Sequence, residues 1–116
     1  MHELSVTQGI LHFALDEAER RNAARVTALT VSLGALSGII ADSVAIYFPL
    51  VAEGTIAEGA ILTFRRIPAR VCCKDCGAES ELPDFRLRCP ACTSRSVDLL
   101  SGREAYIESI EIEEKN

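Results

Sequence analysis

Two cysteine pairs, Cys73-Lys74-Asp75-Cys76 and Cys89-Pro90-Ala91-Cys92, place four sulfur donors in two short repeats separated by residues 77–88. A C-x2-C segment folds as a knuckle with both sulfurs on one side of a loop, and two knuckles close a four-coordinate shell around one metal ion. Four thiolates and no open position describe a structural site, and Zn²⁺ is the ion this donor set favours. Iron held by the same four thiolates is the alternative, because Cys-x2-Cys-Gly and Cys-Pro-x-Cys knuckles suit it too. Cys72 directly precedes the first pair. The x2 spacing makes Cys73 the ligand and leaves Cys72 as a spare thiol that behaves as a small apolar residue.

A second set of donors stands at the start of the chain, Met1-His2-Glu3. Initiator methionine is normally trimmed only before small side chains, so Met1 is expected to stay ahead of His2. The terminal amine, the His2 amide nitrogen and the His2 imidazole can then form two fused chelate rings in one plane. The amide or the carboxylate of Glu3 can complete a four-coordinate square. Planar nitrogen donation suits Ni²⁺ or Cu²⁺, whereas Zn²⁺ prefers a tetrahedron, so geometry would sort metals between the two sites. Taken alone, a histidine at position 2 is more often a solvated terminus.

These donors need a scaffold. Residues 4–21 carry Leu4, Val6, Ile10, Leu11, Phe13, Ala14, Leu15 and Ala18 on one broad helical face, with Gln8, His12, Asp16, Glu19 and Arg20 opposite. Asn22 is suited to stopping that helix. Residues 25–34 are β-branched and alternate, which predicts a strand. Asp42 or Ser43 is placed to cap a second helix running to about residue 53, with a kink or break expected at Pro49. Residues 60–67 predict another strand stopped by Pro68, and EAYIESIEIE at 104–113 predicts a half-buried last one. The fold class is therefore α+β: a small mixed three-stranded sheet with two helices on one face. Residues 1–68 and 100–116 form the α/β domain, and residues 69–99 form an inserted four-cysteine zinc module.

Composition limits the function classes. With 48% hydrophobic and 25% charged residues the chain is globular. No apolar run approaches the roughly 18 residues of a membrane span, and the charged first 20 residues are not a signal peptide. A reducing, cytoplasmic setting follows, in which paired cysteines read as metal ligands. The net charge of −5 argues against nucleic acid as a partner. Within the cysteine module, Arg70, Lys74, Arg86, Arg88 and Arg95 are balanced by Asp75, Glu79, Glu81, Asp84 and Asp98, and Phe85 is its one aromatic. Such a module offers neither an electrostatic track nor a stacking platform. No Ser/His/Asp set and no glycine-rich phosphate loop supports an enzyme.

Met1-His2-Glu3-Leu4-Ser5 and the late Cys-x2-Cys…Cys-Pro-x-Cys, in order with Arg25-Val26-Thr27, Leu33-Gly34-Ala35-Leu36-Ser37-Gly38, Ala57-Glu58-Gly59-Ala60, Ile67-Pro68-Ala69 and the close Ile107-Glu108-Ser109-Ile110-Glu111-Ile112, resemble the hydrogenase nickel-incorporation proteins of the HypA/HybF family along the whole chain. The resemblance implies a nickel metallochaperone with Ni²⁺ at Met1, His2 and Glu3 and structural zinc at Cys73, Cys76, Cys89 and Cys92. It also implies delivery to the large subunit of [NiFe]-hydrogenase with a HypB-type GTPase as partner, and in some bacteria supply of urease. The doubled Cys72-Cys73 departs from the family pattern. The rivals are a rubredoxin-like iron electron carrier and a zinc-ribbon interaction module.

Overall fold

The amphipathic stretch near the start forms helix α1, Glu3–Arg20, in the computed structural model, which describes residues 3–83 and 86–115. Met1, His2, Asp84, Phe85 and Asn116 lie outside the described residues. Helix α1 buries Thr7, Ile10, Leu11, Ala14 and Ala18, a spacing that puts all five on one face. It ends where Asn22 adopts φ +54°, a left-handed turn that asparagine tolerates better than most residues. Strand β1, Ala23–Gly34, follows directly. Helix α2, Ala41–Ala52, then strand β2, Ile61–Ile67, continue the chain. Strands β3, Arg70–Cys73, β4, Glu79–Glu81, and β5, Val97–Ser101, lie in the cysteine-bearing segment. Strand β6, Ala105–Glu114, is the last element.

The strands form two three-stranded sheets, ordered β2-β1-β6 and β4-β3-β5. The first is the sheet expected from the strong alternating segments. The second was not legible, because strands of three to five residues among cysteines and turns carry too little periodicity. In it β3 pairs antiparallel with both neighbours, matching Cys72 to Glu79 and to Asp98 and Cys73 to Val97.

The chain divides into two compact units. One comprises Met1–Val31, Ile39–Arg65 and Tyr106–Asn116. Helices α1 and α2 pack on each other there, and the core holds Val26, Leu29, Val44 and Phe48, each no more than 2% exposed. Helix α2 starts differently from the expectation. Its N-cap is Ile40, with no capping bond from a side chain of its own, rather than Asp42 or Ser43. The Ile40 N–H is instead given to the carboxylate of Glu3, 3.4 Å away, an acidic group placed at the positive end of the helix. Pro49 does not break α2, which runs on to Ala52. Only three residues follow Pro49, so few ladder bonds are at stake.

The other unit comprises Ser32–Gly38 and Arg66–Ala105 and is wider than residues 69–99. The Gly34 N–H bonds the Glu104 carbonyl at 2.7 Å, the Ala35 N–H the Ile67 carbonyl at 2.9 Å, and the Leu36 N–H the Gly102 carbonyl at 2.6 Å. This crossing requires glycine: a Cβ on Gly34 would lie 2.1 Å from the Gly102 oxygen. Ala69, Val71 and Leu82 form a small buried cluster, flanked by Ala35, Leu36, Val97 and Leu99.

Candidate metal centre

The first knuckle hangs from the end of β3. Its turn is closed by the Cys73 N–H to the Ala78 carbonyl at 2.9 Å and by the Gly77 N–H to the Cys73 carbonyl at 3.0 Å, with Gly77 at φ +73°. The second knuckle is closed alike, by the Thr93 N–H to the Cys89 carbonyl at 2.8 Å and the Cys89 N–H to the Ser94 carbonyl at 2.9 Å. Thr93 takes the left-handed conformation, φ +63°, that Gly77 supplies in the first knuckle. The Lys74 N–H reaches the Ser96 carbonyl at 2.8 Å, and the Lys74 ammonium lies 3.4 Å from the Asp98 carboxylate.

These turns bring the sulfurs of Cys73, Cys76, Cys89 and Cys92 within 4.8 Å of one another. The close pairs run across the knuckles, Cys73–Cys92 at 3.5 Å and Cys76–Cys89 at 3.6 Å. Those separations exclude disulfides, whose sulfurs stand about 2.05 Å apart. They approach the edge of roughly 3.8 Å expected when four sulfurs surround zinc at about 2.3 Å, so the donor set and its spacing fit a four-thiolate metal ion. Cys73 and Cys89 are buried, while Cys76 and Cys92 are exposed. Cys72 stands outside the cluster, because successive side chains of β3 point to opposite faces.

Backbone amides converge on the sulfurs. The Cys73 thiol is lowered from 9.0 to about 7, chiefly because the Cys76 N–H donates to its sulfur at 3.4 Å. Desolvation opposes this, and the Asp75 N–H reinforces it. Cys92 receives the Ser94 N–H, which lowers it, yet it is pushed up to about 12 by its Cys73 neighbour, burial, Cys76 and Cys89. Cys76 is also raised: the Ala78 N–H lowers it, but the Cys89 and Cys73 sulfurs outweigh that donor. Sulfurs this close cannot all ionise unaided, and a dication held among them would supply the missing positive charge.

The residues singled out at the amino terminus divide. Met1 and His2 are outside the described residues. Glu3 opens α1, where its carbonyl accepts the buried Thr7 hydroxyl at 2.6 Å and its carboxylate receives the Ile40 N–H. Sequence reasoning did not anticipate Asp75 and Ser94, whose side chains are joined by a hydrogen bond from the Ser94 hydroxyl to the Asp75 carboxylate. Their only local signal was proximity to ligands. No helix among the described residues is long and apolar enough to cross a membrane.

A small α+β protein carrying a closed four-cysteine metal centre is the class these observations define. Residues 1–112 match the family described as "Hydrogenase/urease nickel incorporation, metallochaperone, hypA". The hydrogenase maturation factor HypA of Caldanaerobacter subterraneus subsp. tengcongensis is 46% identical over 114 residues, covering 97% of this chain and 100% of that protein. Its counterpart from Aquifex aeolicus is 37% identical over 113 residues, covering 97% and 98%. The chain belongs to the HypA family of metallochaperones. The solution structure of the Ni metallochaperone HypA from Helicobacter pylori shares the fold, with a TM-score of 0.70 over 99% of this chain and 100% of that one at 23% identity.

Proposed function

We propose that this protein binds Ni²⁺ through Met1, His2 and Glu3 and delivers it during maturation of the large subunit of [NiFe]-hydrogenase, with urease as a second client. The observation that carries this reading is the family match over residues 1–112, which takes in the Met1-His2-Glu3 start. The described end of that segment supports it. Glu3 is the first residue of α1, so its N–H lies outside the helical ladder and stays available to a ligand. A donor set at a chain end can be handed over by ligand exchange without unfolding the core. In the same reading Cys73, Cys76, Cys89 and Cys92 hold Zn²⁺ that staples their unit and is not transferred. A HypB-type GTPase is the partner in delivery, the setting is the cytoplasm, and the protein is a carrier rather than an enzyme.

Titration of Ni²⁺ into untagged, zinc-loaded protein beside His2→Ala, by calorimetry and absorption, tests the nickel site. One tight equivalent with a square-planar spectrum, lost in the variant, is the expected result. Equal binding by both proteins would move nickel away from His2. A red protein with iron absorption as purified would replace zinc by iron at the four cysteines.

A further inference from the structure

Asp75 and Ser94 both stand beside the metal centre, Asp75 inside the first knuckle and Ser94 two residues past Cys92. The backbone N–H groups of Asp75 and Ser94 help to lower the Cys73 and Cys92 thiols, each acting on the cysteine sulfur two residues before it. Those two sulfurs are a cross-knuckle pair, 3.5 Å apart. The Ser94 hydroxyl donates to the Asp75 carboxylate and accepts the Ser96 N–H at 3.0 Å, and the Ser94 carbonyl receives the Cys89 N–H. The side-chain bond therefore closes a ring that runs from Cys73 through Asp75 and Ser94 to Cys92 and back across the sulfur–sulfur edge. Nothing in the metal-ligand pattern requires it. An acidic residue beside four thiolates is electrostatically unfavourable: four thiolates and one dication already carry about −2. A compensating role is expected of a carboxylate kept there.

We propose that Asp75 and Ser94 are a positioning pair that latches the two knuckles and slows departure of the metal through the Cys73–Cys92 edge. This rests on the reading of the four cysteines as a metal site. Cys76 and Cys92 are the two exposed ligands that water and competing chelators reach, and Cys92 is the one on the edge shared with buried Cys73. With the latch closed, movement of Cys92 drags Ser94 and must break its bond to Asp75. With the latch open, the second knuckle is tied to the first by the metal and by the Lys74 N–H bond to Ser96. Hydrogen-bonded groups around a metal's ligands affect its retention by roughly 10–100-fold when removed, and an exposed pair belongs at the low end of that range.

The test uses the full chain loaded with Co²⁺, whose thiolate bands report the tetrahedral shell, and follows transfer of the metal to a chromophoric chelator. Asp75→Ala and Ser94→Ala should keep the cobalt bands and lose metal about tenfold faster than the parent. Asp75→Asn keeps an oxygen that accepts the Ser94 hydroxyl and should restore most of the slow rate. That rescue separates positioning from loss of an acidic charge. Unchanged rates in both alanine variants, with cobalt bands intact, would overturn the latch and leave the metal site standing. An Asp75→Asn rate equal to that of Asp75→Ala would also overturn it, assigning the effect to charge. Absence of cobalt thiolate bands in the parent would overturn the metal reading and the latch with it.

Discussion

The two units of this chain are held by different forces. The helical unit buries Phe48, Leu29, Val26 and Val44 almost completely, the kind of core that removal from water stabilises at about 25 cal/mol per Å² of apolar surface. Among the described residues, the cysteine-bearing unit has four buried apolar residues, Leu33, Ala69, Val71 and Leu82, beside two buried cysteines, Cys73 and Cys89. Four thiols within 4.8 Å, two of them with raised pKa, are not a source of stability until an ion balances them. A chain can thus divide its folding between apolar burial, which is always present, and a metal, which is conditional.

Removing the structural ion is the harshest way to break this contrast. Chelation, or Cys89→Ser, should abolish amide protection at Val71 and Cys73 while amides of Val26 and Leu29 stay protected, because metal binding is folding free energy where the core is small. Hydrogen exchange read by NMR decides it. Survival of protection at Val71 without metal would show that the small cluster suffices.

The converse substitution strikes the burial-held unit. Phe48→Ala should cost about 3–5 kcal/mol, the range for a fully buried aromatic, measured by urea unfolding of the metal-loaded protein. Metal content should stay at one equivalent wherever the variant is folded. A loss below 1 kcal/mol would mean that this core is not what stabilises the unit.

Gly34→Ala sharpens the comparison at the base of the metal-held unit. The new Cβ would meet the Gly102 carbonyl at 2.1 Å, a backbone atom that can retreat only by breaking the Leu36 N–H bond. About 1–3 kcal/mol of destabilisation is expected, the usual cost of forcing extra volume into packed structure. Gly9→Ala, with nothing within 4 Å of the added Cβ, is the control that should be neutral or better.

The smallest effect concerns Glu104. Its carboxyl is held below its ordinary 4.5, first by its own N–H and then by the N–H of Gly102, whose bond is 2.6 Å. A depressed carboxyl contributes stability above its unfolded value and loses it as pH falls through the folded one. Glu104→Gln should therefore be less thermally stable than the parent at pH 7, with the difference fading as the pH drops below 4.5. A difference that grew on acidification would contradict the assigned sign.

Legibility followed range. Helix α1, strand β1 and strand β6 came within one or two residues of their expected bounds, because long amphipathic or alternating segments declare their period. The start of α2 was misread at Asp42 and Ser43, since the group that meets its first amide is Glu3, 37 residues away. The short sheet of β3, β4 and β5 left no pattern to read.

Local spacing by itself picked out the four cysteines that cluster, the two helices and the strands of the main sheet, each legible in a short run of residues, while the order of motifs along the chain carried the family resemblance. Only the tertiary structure decided which sulfurs face each other across the knuckles, that Ser32–Gly38 joins the cysteine-bearing unit, and that Ser94 meets Asp75. Those partners are distant along the chain, and what brings them together is the closing of turns and strands around them rather than any periodicity of their own.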